Sequence, residues 1–350
     1  MIDNSSERPA GPDGICCKDS RRFAYFDGHC DTLTEFDESK ETIYDSDTHF
    51  NVKKQLGYFR HVQVADIWVD RARHDPAARV DHFINVFERQ LRLLEEKGRA
   101  ECSGGFGVCF IKSREDLREY YDSDGSPAVR SGLILGIEGG ECIDGDEEFI
   151  ALRKLFDRGV RLITLTWNTP NTISDTNCAV AARPGLTDFG RRVVAEMNRL
   201  GMMIDVSHIS DRGFEDVLEI SRKPVIASHS DSRALCGHGR NLTDDMFRSL
   251  VAAGGVTGIN FCTDFLGGSR DLDRILEHIE HFASLGGVAN IGIGSDFDGI
   301  SCLPGGIDGA ESLYKIIDGL LKLNYTEAQA EGIAGGNFRR VFEEVLPPRI

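Results

Sequence analysis

Residues 187–229 decide the fold of this chain, and they read TDFGRRVVAEMNRLGMMIDVSHISDRGFEDVLEISRKPVIASH. Apolar side chains recur at helical spacing after Thr187, a residue that can cap the start of a helix. The short apolar run Met202–Val206 follows and is typical of a buried parallel strand. Ser210 can cap a second helix, and Val225–Ser228 has the pattern of a second strand. The stretch therefore predicts the helix–strand alternation of an α/β fold.

The same alternation extends over almost the whole chain. Eight strands separated by helices predict a closed (β/α)8 TIM barrel. A ninth candidate, Phe106–Ile111, is expected to be a short peripheral strand, because it is flanked by glycine and leads to no polar cluster. A doubly wound open sheet is the alternative, but the first turn reads DGHCD and lacks the glycine-rich nucleotide fingerprint. The six remaining barrel strands are predicted at Phe23–Asp27, Val62–Val69, Gly132–Ile137, Val160–Thr166, Val256–Phe261 and Ile291–Gly294.

Composition limits the possible partners and compartment of the protein. Hydrophobic residues make up 41% of the 350 residues, enough to bury a sizeable core. The formal net charge of -17 disfavours binding to nucleic acid, because phosphate backbones would be repelled. No apolar run reaches the roughly 18 residues of a membrane span, and the ten scattered cysteines are expected to be reduced thiols. These features favour a cytoplasmic protein without a membrane anchor.

The first twenty residues, MIDNSSERPAGPDGICCKDS, differ from the rest of the chain because they are polar and rich in Pro and Gly. They lack the apolar region of a signal peptide. We expect residues 1–20 to form a flexible N-terminal tail and residues 21–350 to form a single barrel domain, since no repeat or linker interrupts the later sequence.

Side chains that can bind a metal or transfer a proton recur at one position in the predicted strand–helix units, directly after a strand. They are His29 and Asp31 after the first strand, Glu138 in GIEGG, His208 in DVSH, His229 in IASH and Asp296 in GSDFDG. Barrel enzymes gather their active sites at the carboxyl ends of the strands, where residues distant in sequence meet. The shared placement therefore predicts one site built from these side chains.

Imidazole and carboxylate groups in this pattern favour a metal site. His29 and Asp31 are two residues apart and can face the same side of an extended chain. A buried Glu138 needs a cation or a shifted pKa, and its two oxygens can bridge two metals. Neutral histidines such as His208 and His229 are common ligands for zinc-like ions. For each residue alone, the alternative is a structural role, such as a histidine that is hydrogen-bonded to a neighbouring acid.

Loop residues supply candidates for other roles. Asp296 can act as a proton shuttle or as an anchor for a substrate amine, whereas Asp298 is expected to be structural. Arg240, in the loop HGRN, can bind a substrate carboxylate through two parallel hydrogen bonds. The other histidines lack the strand-end placement, and most are expected to be surface or helix residues. They are His49, His61, His74, His82, His238, His278 and His281.

Taken together, the motifs resemble the membrane dipeptidase family, also called renal dipeptidase-like or M19 metallopeptidases. The resemblance runs from about Phe26 to Val345 through DGHCDTL, LGIEGG, LTLTWN, GLTDFGRRVVAEMNRLGMMIDVSHIS, KPVIASHS, RNLTDDM, IGIGSDFDG and GGNFRRVFEEV. It implies an amidohydrolase-type (β/α)8 barrel with two zinc ions that acts on dipeptides. Some members accept a D-residue at the C-terminal position, and some open β-lactams. A homodimer is implied as well.

The resemblance also assigns the metal ligands. His29 and Asp31 would hold the first metal, and Glu138 would bridge both metals. His208 and His229 would hold the second. The implied reaction is attack on the scissile carbonyl by a hydroxide that the two metals share.

Substrate contacts are implied too, and one position departs from the family. Arg240 would bind the substrate carboxylate, while Asp296 would transfer the proton and orient the free amine. Many members carry a histidine where this chain has Trp167, which donates one N–H but cannot become cationic. Oxyanion stabilisation would then depend more on the metals, or on Asn168 or Asn171. The departure leaves the substrate preference open.

Three functions are compatible with the sequence. The first is a zinc-dependent dipeptidase. The second, motivated by Trp167, is a two-metal amidohydrolase that acts on another small amide, such as an N-acyl amino acid or a cyclic amide. The third, an inert metal-stabilised binding protein, is disfavoured because such a protein has no need to retain the proton shuttle Asp296.

Overall fold

The structure is a computed structural model that describes residues 20–37, 39–100, 107–122, 129–178 and 185–349. The predicted flexible tail, residues 1–20, lies outside the described residues except for Ser20. The cysteines in the described parts of the chain are free thiols, as expected. No helix within these parts is long and apolar enough to cross a membrane.

Eight strands form a closed parallel barrel. In the described chain, β1 pairs with β2 and β9, β2 pairs with β4, and β4 to β9 pair in order. The predicted (β/α)8 barrel is therefore confirmed. The strands are β1 Ala24–Asp27, β2 Arg60–Trp68, β3 Gly107–Phe110, β4 Val129–Glu138, β5 Val160–Thr164, β6 Met203–Asp205, β7 Ile226–Ala227, β8 Val256–Ile259 and β9 Ile291–Ile293.

Strand β3 lies outside the closed ring, as the sequence predicts. It pairs along the first half of β4, where Phe110 lies opposite Leu133. Strand β5 occupies the same edge of β4 further along, with Thr164 opposite Glu138. The ninth strand therefore extends the sheet beside the barrel and contributes nothing to the end where the strands finish.

Helices connect and surround the strands. The predicted caps are present, since the side chains of Thr187 and Ser210 accept hydrogen bonds from the backbone N–H groups of Gly190 and Gly213. The α-helices of the described chain are α1 Thr32–Glu35, α2 Val52–Gln55, α3 Pro76–Ala100, α4 Arg114–Asp122, α5 Ile150–Asp157, α6 Asp188–Leu200, α7 Asp211–Ile220, α8 Asp244–Ala252, α9 Thr263–Leu266, α10 Leu272–Ser284, α11 Tyr314–Lys322, α12 Glu327–Glu331 and α13 Asn337–Val345. Short 3-10 helices lie at Ser20–Arg22, Gly140–Ile143, Val288–Asn290 and Ala310–Ser312.

The last helix closes the end of the barrel where the strands begin. A π-helical segment, Gly332–Gly336, joins α12 to α13 and packs against the backbone of β1 at Ala24. From α13, the ring of Phe338 enters the barrel, and a Cβ placed on Gly28 or Gly292 would come within 2.7 Å or 2.5 Å of it. The ring of Phe338 therefore fills this end of the barrel, and the polar residues lie at the opposite end.

Candidate metal centre

The six candidate site residues converge at the end of the barrel where the strands finish. Parallel strands direct their carboxyl ends to the same face, so residues far apart in sequence become neighbours. They are His29 and Asp31 after β1, Glu138 at the end of β4, His208 after β6, His229 after β7 and Asp296 after β9.

One oxygen of Glu138 lies at the centre of the cluster. Its Oε1 atom is 2.9 Å from Nε2 of His208, 3.3 Å from Nε2 of His229 and 3.8 Å from Nε2 of His29. The Nε2 atoms of His208 and His229 are themselves 3.1 Å apart. Three imidazole nitrogens thus face a single carboxylate.

His29 also faces two aspartates. Its Nε2 atom is 3.4 Å from Asp31 Oδ2 and 3.9 Å from Asp296 Oδ1. These carboxylates leave no room for a side chain beside them, because a Cβ on Gly299 would lie 2.2 Å from Asp31 Oδ2 and 2.4 Å from Asp296 Oδ1. The glycine of the SDFDG turn therefore permits the two acids to approach each other.

The donor set fits metal ions. Asp31 Oδ1 is buried without a hydrogen-bond partner among the described residues, and a cation would remove that cost. Imidazole nitrogens and carboxylate oxygens are the ligands that zinc-like ions take in catalytic sites. Two overlapping triads have ligand atoms within 4.8 Å of one another, namely His29, Glu138 and His229, and His29, Asp31 and Asp296.

Burial decides the protonation of several of these groups. It raises the pKa of Glu138 well above the ordinary value, and the negative charge of Asp31 raises it further. Burial lowers the pKa of His208 and of His229 well below the ordinary value, so both imidazoles are neutral and can donate lone pairs. A bound dication would favour the carboxylate form of Glu138.

Asp66, which was not among the residues predicted from sequence, lies behind His29. Its Oδ2 atom is 3.0 Å from Nδ1 of His29, on the side of the ring away from Glu138. Burial alone would lower the pKa of His29, but the charges of Asp66, Asp31 and Glu138 outweigh it and raise that pKa well above the ordinary value. A carboxylate behind a metal-binding histidine orients the ring and strengthens its donation. The available signal was an acid within the apolar strand β2.

Hydrogen bonds through Ser228 to Asp205 hold the ring of His229, and neither of these two residues was predicted from sequence. The hydroxyl of Ser228 is 2.7 Å from Nδ1 of His229 and donates a 2.6 Å hydrogen bond to Asp205 Oδ2. Asp205 also accepts from the Thr164 hydroxyl at 2.6 Å and from the backbone N–H of Ser207 at 2.9 Å. With Nδ1 bound to the hydroxyl, Nε2 of His229 points toward Glu138.

Asp296 is fixed by Asn260, another residue that was not predicted from sequence. The amide Nδ2 of Asn260 donates a 2.9 Å hydrogen bond to Asp296 Oδ2, which directs Oδ1 toward His29. Asp296 and His208 have positive φ angles of 58° and 65°, a conformation that costs free energy for residues other than glycine. Such strain is concentrated at functional sites.

Arg240 lies buried beside the cluster with unused donors. Its Nη2 group donates to the backbone carbonyl of His229 at 3.3 Å. The Nε and Nη1 atoms are buried and have no hydrogen-bond partner among the described residues. A guanidinium with free donors in a buried site is suited to a carboxylate ligand.

The departure at Trp167 places an aromatic pair at the site. The Trp167 and Trp68 rings have centroids 4.9 Å apart, and the Trp167 centroid is 6.4 Å from that of His208. Asn168 lies next to it, and its Oδ1 atom is 2.9 Å from Nδ1 of His208. Asn171 serves its own loop, because it donates to the Leu165 carbonyl and accepts from two backbone N–H groups. Both ends of the Asn171 amide are therefore engaged within the loop instead of directed toward an oxyanion.

Two further expectations have clear outcomes. Asp298 is structural as predicted, since its carboxylate accepts hydrogen bonds from the Thr32 hydroxyl and the His49 backbone. The expectation of a surface or helix position is wrong for His61, which is fully buried in β2. Its ring lies among those of Tyr25, Tyr58 and Phe50 instead of near the metal centre.

A parallel barrel with neutral imidazoles and carboxylates gathered at the strand ends places the chain among the metal-dependent hydrolases. Within that class, the chain belongs to the membrane dipeptidase family, Peptidase family M19, whose family model matches residues 20–347. The chain is thus a metallodipeptidase.

Solved structures with the same fold include two metallopeptidases at 25% sequence identity. A metallo peptidase from Rhodobacter sphaeroides, liganded with a phosphinate mimic of the dipeptide L-Ala-D-Ala, has a TM-score of 0.75, with 93% of this chain and 99% of that chain covered. A dipeptidase of family M19 has a TM-score of 0.74 with the same coverage. The probable dipeptidase PvdM from Pseudomonas aeruginosa, 21% identical, shares the fold with a TM-score of 0.76 over 93% of this chain and 96% of that one.

Proposed function

We propose that this protein is a two-zinc dipeptidase that hydrolyses the amide bond of free dipeptides, including those with a D-residue at the C-terminal position. The observation that carries the proposal is the convergence of His29, His208 and His229 on Glu138 Oε1, at 2.9 to 3.8 Å. Residues 21–350 would form the single catalytic domain, preceded by the tail.

In this proposal, the side chains would be divided between two cations, with the carboxylate of Glu138 shared. His29 and Asp31 would hold the first zinc ion, His208 and His229 the second, and Glu138 both. When bound, the ions would activate the attacking water and polarise the scissile carbonyl. The neutral state of His208 and His229, which burial enforces, supports this assignment.

Asp296 is suited to move the proton. Burial raises its pKa above the ordinary value, and Asn260 holds one oxygen so that the other faces the cluster. In the proposed reaction, Asp296 accepts a proton from the attacking water as the new C–O bond forms. It then delivers this proton to the leaving amine nitrogen as the C–N bond breaks.

Arg240 would bind the carboxylate of the dipeptide. Its Nε and Nη1 donors are buried and have no hydrogen-bond partner in the part of the chain that the structure describes, and an anionic ligand would satisfy both. With Asp296 orienting the free amine, fixing both ends of the substrate would restrict the enzyme to short peptides and place the scissile bond next to the metal centre. The phosphinate mimic of L-Ala-D-Ala in the Rhodobacter sphaeroides relative supports dipeptides with a C-terminal D-residue as substrates.

A second candidate function follows from Trp167. Together with Trp68, this residue presents an apolar surface near His208, where many family members have a polar imidazole. An amidohydrolase that acts on an N-acyl amino acid or a cyclic amide would use the same metals, and its substrate would pack an apolar group against the two rings.

A substrate panel separates these functions. Zinc-loaded protein would be incubated with L-Ala-L-Ala, L-Ala-D-Ala, L-Phe-L-Ala, N-acetyl-L-alanine, N-acetyl-L-phenylalanine and hydantoin, and released amines or acids would be quantified. We expect turnover of the dipeptides and its loss after removal of the metal with a chelator. Turnover of the acyl amino acids or of the cyclic amide alone would favour the second candidate, and no turnover at all would refute both.

A further inference from the structure

The three histidines of the centre are backed by groups of different charge. His29 has the carboxylate of Asp66 at 3.0 Å. His229 has the hydroxyl of Ser228 at 2.7 Å, which passes the bond on to a second carboxylate. His208 has the neutral amide of Asn168 at 2.9 Å. The group behind a metal-binding histidine affects its tautomer and its donor strength, so the three positions are not equivalent.

The contact with Asn168 selects one tautomer of His208. An amide oxygen only accepts hydrogen bonds, so Nδ1 of His208 must carry the hydrogen atom and donate it. The lone pair is then on Nε2, the atom that lies 2.9 Å from Glu138 Oε1. His208 also has a φ angle of 65°, and the hydrogen bond restrains a ring attached to a strained backbone.

We infer that Asn168 is a positioning residue that sets the affinity of the second cation position, and that this position binds zinc more weakly than the first. The inference rests on the proposed two-zinc site. The single histidine of the first position has a fully buried carboxylate behind it, whereas His208, one of the two histidines of the second position, has an uncharged amide behind it. Asn168 is exposed at the mouth of the site, so water competes for its hydrogen bond with His208.

Zinc titration of three proteins tests this role without relying on activity. Wild-type protein, Asn168→Ala and Asn168→Asp would be stripped of metal and titrated with zinc against a chromophoric chelator. We expect wild-type protein to bind two ions, one tightly and one more weakly. Asn168→Ala should weaken the second step by about 10- to 100-fold and leave the first unchanged. Asn168→Asp keeps an oxygen acceptor behind His208 and should restore the second step or tighten it.

Cys178 provides a matched control. Its thiol donates to the same Oδ1 atom of Asn168 at 3.3 Å, on an exposed part of the loop. Cys178→Ala removes that contact and leaves the hydrogen bond to His208 in place. Both zinc-binding steps of this variant should match those of wild-type protein, and far-UV circular dichroism would verify that all four proteins are folded.

The outcomes separate this inference from the proposed function. If wild-type protein binds fewer than two zinc ions, the two-zinc site is wrong and the inference is overturned with it. If wild-type protein binds two ions and Asn168→Ala binds both with unchanged affinity, the proposed function stands and the positioning role is wrong. If Asn168→Asp loses the second ion as Asn168→Ala does, the hydrogen bond to His208 is not the cause.

Discussion

Glu138 Oε1 is the atom around which the metal centre is arranged, since all three imidazoles approach it to 3.8 Å or less. Glu138→Gln preserves the shape of the side chain but removes its charge. We expect the variant to retain fewer than two zinc ions per chain and to lose at least about 100-fold in dipeptidase activity. Elemental analysis and a dipeptide assay measure the two quantities. Full zinc content with normal activity would refute the bridging role.

Arg240 is expected to act on substrate binding more than on the chemical step. Arg240→Ala should raise KM for dipeptides by about 10- to 100-fold, since hydrogen bonds to charged groups contribute roughly 1.5–3 kcal/mol, with a smaller change in kcat. A dipeptide amide, which lacks the terminal carboxylate, is the control. Wild-type protein and variant should hydrolyse it with similar KM values. An equal loss on both substrates would mean that Arg240 does not bind the carboxylate.

The side chains that converge at the strand ends could be located from sequence, while the contacts of the residues behind them could not. His208 and His229 each end an apolar run, so the position of the strand indicates where the side chain points. Asp66 is recognisable in sequence as an acid within an apolar strand, but its contact with His29 joins neighbouring strands and is revealed by the three-dimensional register. It fits because its β4 neighbour is Gly136, where a Cβ would lie 2.0 Å from Asp66 Oδ1.

At the scale of secondary structure, strands were easier to predict than the irregular segments between them. Each barrel strand is a short apolar run, buried on both faces, and that pattern is local in sequence. The peripheral position of Gly107–Phe110 could also be predicted, because no polar cluster follows it. The π-helical segment Gly332–Gly336 could not, because its geometry depends on close packing against β1.

Among the buried side chains of helix α13, Phe338 is expected to make a large contribution to the stability of the barrel. Phe338 is fully buried, with its ring centroid 5.5 Å from that of Phe26. Phe338→Ala should lower the free energy of unfolding by about 3–5 kcal/mol, because it leaves a cavity inside the barrel. Urea denaturation measures the change. Phe59→Ala, at a position that is 50% exposed, is the control and should change stability by about 0.5 kcal/mol or less. A decrease of less than about 1 kcal/mol in the free energy of unfolding of Phe338→Ala would show that the fold does not depend on this ring.

At the scale of the whole molecule, buried titratable groups act in opposite directions on stability. Burial lowers the pKa of His61 from 6.5 to about 3, so between these values the unfolded chain binds a proton that the folded chain does not. The contribution of His61 to stability therefore falls as the pH falls from 6.5 toward 3. Burial raises the pKa of Asp27 from 3.8 to about 6, so the folded chain binds the extra proton and this contribution grows as the pH falls from 6 toward 3.8. The two groups partly cancel in wild-type protein.

Replacing one of these two groups leaves the other group's effect on the pH dependence of stability uncompensated. In His61→Leu, the acid-sensitive contribution is lost while that of Asp27 remains. Relative to wild-type protein, the variant should therefore gain up to about 1.4 kcal/mol of stability per pH unit below about pH 6.5. Urea denaturation of metal-free protein at pH 7, 6, 5 and 4 measures this difference. His74→Leu, which alters an exposed histidine, should run parallel to wild-type protein over the same range. If the curves of His61→Leu and wild-type protein were also parallel, the buried imidazole would have no part in the acid sensitivity of the fold.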